Sequence, residues 1–130
     1  MYKMTVNYND YNGVARQEDH YFNLNKAELI RMEMSIIGGF VEQVNRIIQA
    51  QDAPSLIAIF EDLIQKSYGI KTPDGKGFTK NQKILDEFMA TEAYSEVYMK
   101  LVTDADEAAK FVNGIIPADL AKKAALNAAN

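Results

Sequence analysis

Tyr2, Met4, Val6 and Tyr8 alternate with Lys3, Thr5 and Asn7 at the start of the chain, a period of two that predicts a half-buried strand. Residues 9–13 are turn-forming, and Asn12-Gly13 is a strong short-range hairpin signal, so residues 14–24 are expected to return as a second strand. The period then changes to three and four. Asn25 and Glu28 have capping-box spacing, and Leu29, Met32 and Ile36, broadened by Ile30 and Ile37, form an apolar stripe that ends at Gly38-Gly39. Phe40, Val41, Val44, Ile47 and Ile48 predict a second helix ending near Gln51. Asp52 and Pro54 open a third. Its stripe runs through Leu56, Ile57, Phe60, Leu63, Ile64 and Tyr68, leaving Glu61, Asp62, Gln65 and Lys66 to water.

The joint between two helical halves falls at residues 70–80. Gly69 sits where a helix takes a left-handed residue, with Ile70 as the accompanying apolar contact. Pro73-Asp74-Gly75 is a turn, across which residues 70–72 and 77–79 can pair as a very short hairpin. Thr79 and Gln82 fit a capping box for the next helix. Ile84, Leu85, Phe88 and Met89 continue the helical spacing, and Thr91 starts a further helix with Tyr94, Val97, Tyr98, Leu101 and Val102. Asp104, Asp106 and Glu107 suit another helix N-terminus, followed by Phe111, Val112, Ile115 and Ile116. The Ala-rich residues 119–130 are helical if docked and frayed if not. The expected fold is α+β: an N-terminal β-hairpin packed on about five or six helices. It is expected as one domain over 1–130, divided into a hairpin (1–24), a first helical half (25–69), a turn or hinge (70–80), a second helical half (81–116) and a tail (117–130).

Composition narrows the function classes. With 130 residues, 48% of them hydrophobic and 25% charged, the chain suits one globular core. A net charge of −4 and no Lys/Arg run disfavour nucleic acid as a partner. Without cysteine there is no thiol nucleophile or thiolate metal site. No window reaches eighteen apolar residues and the N-terminus lacks a signal peptide's apolar core, so no membrane partner is expected.

Four stretches invite chemical readings and fail them. Residues 74–79 lack the spacing of a phosphate-binding loop, because Gly69 precedes Gly75 by the wrong interval and Lys76 is followed by Gly77. Asp10, Asn12 and Gly13 do not fit a calcium loop, since aligning the glycine puts Tyr8 at the first ligand position. His20 is the single histidine, without a second ligand at metal spacing, and is read as a surface or edge residue. Asp104, Asp106 and Glu107 lack a partner cluster. No catalytic, cofactor-binding or metal residue is therefore predicted, and no cofactor. Met32, Met34, Met89 and Met99 lie at helical spacing and are read as core, with an adaptable binding groove as the alternative.

The hairpin running into FNLNKAELIRMEMS, the block LIQKSYGIKTPDGKGFTK and the later TEAYSEVYMKLVTDADEAAKFVNGIIPADL resemble tail assembly chaperones of long-tailed, siphovirus-type phages and prophages of Gram-positive bacteria. The resemblance covers roughly residues 1–120. It implies a non-enzymatic protein of the host cytoplasm that binds the helical tape measure protein, recruits tail tube subunits and is absent from the mature virion. It also implies a longer form made by programmed frameshifting, with which Ala121-Lys122-Lys123 is compatible, so that longer form or a homo-oligomer joins the expected partners. The alternative is a structural protein retained in the virion, as a head-tail connector or tail component.

Overall fold

The computed structural model describes residues 1–34 and 39–117. In chain order these form β1 (Tyr2–Asn9), β2 (Ala15–Phe22), α1 (Lys26–Met34), α2 (Phe40–Ala50), α3 (Ala53–Ser67), β3 (Tyr68–Lys71), β4 (Phe78–Thr79), α4 (Gln82–Met89), α5 (Glu92–Thr103) and α6 (Ala105–Ile115). The architecture is α+β, an N-terminal strand pair followed by a helical bundle. Ile36, Ile37, Gly38 and the Ala-rich segment containing Ala121, Lys122 and Lys123 lie outside the described residues.

β1 and β2 pair antiparallel over their whole length, from Tyr2↔Phe22 to Asn9↔Ala15. The turn between them spans Asp10 to Gly13. Gly13 N–H donates to the Asp10 carbonyl at 2.9 Å, and Gly13 takes φ +78°. The Asp10 carboxylate accepts the amides of Asn12 and Val14 at 2.9 Å, so the turn holds itself. The alternation predicted for β1 is present. Met4 and Val6 are buried, Tyr2 and Tyr8 are half-buried, and Lys3, Thr5, Asn7 and Asn9 face water.

The sheet has four strands in the order β1-β2-β3-β4. The very short hairpin across Pro73-Asp74-Gly75 is present, with Ile70↔Thr79 and Lys71↔Phe78 paired. It is also part of a larger sheet, because β3 pairs with β2 at Tyr21↔Gly69 and Phe22↔Tyr68. This corrects three expectations. Gly69 is not a left-handed cap: α3 ends at Ser67, the backbone of Tyr68 after it is already extended, and Gly69 is a strand residue. Ile70 is exposed and makes no capping contact with the core. Thr79 belongs to β4, and the N-cap of α4 is Asn81, whose side chain accepts from Ile84 N–H at 2.8 Å.

Other helix ends follow the sequence. Glu28 N–H donates to Asn25 Oδ1 at 2.8 Å, and Asn25 N–H to Glu28 Oε1 at 3.1 Å, completing a capping box. Asp104 accepts from the amides of Asp106 and Glu107, both at 3.1 Å. Thr91 does separate α4 from α5, but its hydroxyl donates back to the Phe88 carbonyl at 2.7 Å.

The core lies between the inner face of the sheet and the helices. Phe22, Phe60 and Phe111 are fully buried. Phe22 and Phe111 have centroids 5.4 Å apart in an edge-to-face arrangement, and Phe60 lies 6.1 Å from Phe111. Tyr68 stacks flat on Phe88 at 4.0 Å, which fixes α4 against β3. The stripes are narrower than the sequence indicates, since Ile30 and Ile57 are exposed. The methionine reading also needs correction: Met32 packs against the core, whereas Met34 and Met99 are exposed. On both helices other residues fill the core face, Leu29 on α1 and Ala93, Val97 and Leu101 on α5.

Candidate functional site

The stretches read for chemistry are committed to holding the fold. In the 74–79 loop, Gly75 N–H donates to the Thr72 carbonyl at 2.9 Å, Lys76 N–H to Asp74 Oδ1 at 3.0 Å and Gly77 N–H to Thr72 Oγ1 at 2.9 Å. Those amides point into the turn, so they do not form a phosphate cradle. Asp10 is engaged by two amides and by Arg16 Nε at 2.9 Å. Asp104 caps α6, and Glu107 accepts a hydrogen bond from the Tyr2 hydroxyl, tying β1 to α6. That bond and burial push the Tyr2 phenol well above its usual pKa, burial contributing most.

His20 is not a surface or edge residue. β2 is an inner strand of the sheet, and the His20 side chain is only 13% exposed. Its ring lies 4.9 Å from Phe88 and 6.0 Å from Tyr68, with Met4 opposite it on β1. Its Nε2 is 3.3 Å from Glu18 Oε1 but off the line needed for a hydrogen bond, and Glu18 Oε1 instead accepts from the Tyr8 hydroxyl at 2.8 Å. Burial lowers the His20 pKa, and Glu18 opposes that shift without cancelling it. Among the described residues no group of three or more His, Cys, Asp or Glu side chains could hold a metal ion.

The feature best suited to binding is a cleft of about 430 Å³ between α1, the C-terminal end of α3 and the start of α4. Leu24, Met32, Tyr68 and Leu85 give it apolar walls, and Arg31, Gln65, Lys66 and Gln82 form a polar rim. One ion pair organises it. Lys80 Nζ lies 2.8 and 2.9 Å from the two Glu28 carboxylate oxygens, and it also donates to the Lys66 carbonyl at 3.0 Å. Lys80 therefore joins the N-terminal turn of α1 to the C-terminal end of α3, where a cation suits the exposed carbonyls. The cleft presents an apolar floor between charged edges.

Of these cleft residues the sequence offers only Met32 as a groove position, as the alternative to core. Met32 and Leu85 are visible in the sequence as stripe positions, and a stripe alone gives no sign that its outer margin is left open. The Glu28–Lys80 pair spans 52 positions and has no local signature.

A family model described as phage tail assembly chaperone matches residues 1–130, the whole chain. No curated protein and no solved structure gives a significant match.

Proposed function

We propose, because the chain belongs to the phage tail assembly chaperone family, that it binds the tape measure protein and recruits tail tube subunits while the tail is built. The observation that carries this is the family match over all 130 residues. The cleft between α1, α3 and α4 supplies the binding mode. A helix of the tape measure protein lays its apolar face against Leu24, Met32, Tyr68 and Leu85, with polar flanks meeting Arg31, Lys66 and Gln82. The protein works by binding, without a catalytic step or a cofactor, in the cytoplasm of the bacterial host, and it is left out of the mature virion. Nucleic acid is not a client, and no helix among the described residues is long and apolar enough to cross a membrane.

The test is a pull-down from phage-producing cells with the protein tagged at its N-terminus, read by mass spectrometry. A very long helical protein recovered together with tail tube subunits is the expected result. Leu85→Glu, checked for an unchanged circular dichroism spectrum, should lose the long protein. Recovery of neither client, with the bait found in purified particles, would instead establish a structural component retained in the virion.

A further inference from the structure

β1 is an edge of the sheet, with β2 on one side and, among the described residues, no strand on the other. Its hydrogen-bonding phase follows from the turn. Asp10 N–H donates to the Val14 carbonyl, so Asp10 and Val14 form a hydrogen-bonded pair. Pairs alternate in an antiparallel ladder, so Tyr8, Val6, Met4 and Tyr2 direct their backbone groups toward β2. Lys3, Thr5, Asn7 and Asn9 therefore direct amide and carbonyl outward along the open edge.

Natural edges are usually blunted by proline, a bulge, inward charges or short length. β1 runs through eight consecutive pairs without a bulge or a proline, and its single charge, Lys3, is near one end. A groove of about 380 Å³ runs beside it, with Met4 and Val6 on the strand and Glu96, Met99 and Lys100 on α5. The charges along the groove are ordered. Tyr11 at the hairpin tip donates to Glu92 Oε1 at 2.7 Å, so α5 starts at that end and runs antiparallel to β1. Glu96 lies beside Asn7 and Asn9. One helical turn further on, Lys100 comes level with Thr5, nearer Lys3.

We propose that this edge pairs with β1 of a second copy of the chain, antiparallel across a two-fold axis at Val6, so that the two sheets become continuous. In that register Lys3 of each copy lies opposite the uncharged Asn9 of the other, on the outer face of the sheet. Thr5 lies opposite Asn7, which brings Glu96 of each copy toward Lys100 of the other. The two Lys3 side chains are about 20 Å apart, at roughly 3.3 Å per residue. Glu96 and Lys100 of α5 each meet their opposite, and no charge meets its like, which a self-pairing strand requires. On the inner face Val6 meets its own copy and Met4 meets Tyr8. The pairing also covers Met99, which is otherwise 52% exposed. This assembly needs no client and stands independently of the function proposed above.

Size-exclusion chromatography with light scattering on the full chain tests it. The wild type should be a dimer. Asn7→Pro removes an outward amide that β2 does not use, so it should give a monomer with an unchanged circular dichroism spectrum. Glu96→Lys and Lys100→Glu should each weaken the dimer about tenfold or more, roughly the effect of turning the two symmetry-related favourable contacts into like-charge ones. The double exchange Glu96→Lys/Lys100→Glu should restore it, because each swapped charge again faces its opposite. A wild type that stays monomeric into the hundred-micromolar range overturns the proposal, as does a dimer indifferent to all four variants. A monomer whose client binding is lost in Asn7→Pro also overturns it, and assigns the edge to an extended client segment.

Discussion

Gly69 has no side chain because none fits. A Cβ there would lie 2.7 Å from Phe78 Cε2 and 2.8 Å from the Thr79 carbonyl oxygen. The ring can turn aside, but the carbonyl belongs to β4 and cannot move without loosening the Ile70↔Thr79 pair. Gly69→Ala should therefore cost roughly 1–3 kcal/mol, the usual range for forced overpacking, measured by urea denaturation. Unchanged stability would show that β4 shifts freely. Locally a glycine after a helical stripe fits a cap, whereas the close approach of β4 that excludes a side chain at Gly69 has no local signature.

His20 makes a second residue-scale prediction. It is packed by Phe88 from α4, Tyr68 from β3 and Met4 from β1, with Glu18 and Asp19 the nearby charges on its own strand. Burial holds its pKa below the ordinary 6.5. The unfolded chain then binds more protons than the folded one as pH falls below that value. Stability from this group is full above 6.5 and is lost as pH drops through the folded pKa. The urea midpoint should decline across that window and flatten in His20→Phe. Asp10 and Asp74, whose pKa values are lowered by hydrogen bonds in their turns, act in a separate and more acidic window.

At the scale of elements, helix ends carry the checkable energetics. Asp104→Ala removes the acceptor for two amides at the start of α6 and should cost about 1 kcal/mol, as loss of a side-chain N-cap does. Lys80→Met keeps the aliphatic stem while releasing Glu28 and the Lys66 carbonyl. With both charged side chains about a quarter exposed, a loss of ~1 kcal/mol is expected. Faster amide exchange in the first turn of α1 would locate the change; a protection pattern identical to wild type would remove Lys80 from its organising role. The caps were legible because their signals span three residues, as in Asn25 and Glu28. The α3-to-β3 transition was not. Tyr68 satisfies the helical stripe by spacing, and its actual place as a strand residue depends on Phe22, far off in the chain.

For the whole molecule, the alternating hairpin and the amphipathic stripes were enough to place the α+β class, while the third and fourth strands widened the sheet beyond a simple hairpin. The cleft lay out of reach because it is formed where three elements fail to close on one another, a property of their relative placement. The same placement makes a final prediction. Phe22 ends β2, pairs with Tyr68 of β3 and touches the rings of Phe88 on α4 and Phe111 on α6. Phe111 in turn meets Tyr2 on β1 and Phe60 on α3. The hairpin and the helices thus share one set of rings and have no separate interiors. Phe22→Ala should cost about 3–5 kcal/mol, a large part of the roughly 5–15 kcal/mol that holds a domain together. Helical far-ultraviolet and tyrosine near-ultraviolet signals should be lost in one transition, in the wild type and at lower denaturant in the variant. If part of the tyrosine signal, that of Tyr2, Tyr8, Tyr11 and Tyr21, were lost first while the helices persisted, the hairpin would be a separate folding unit and the shared rings would not couple it to the bundle.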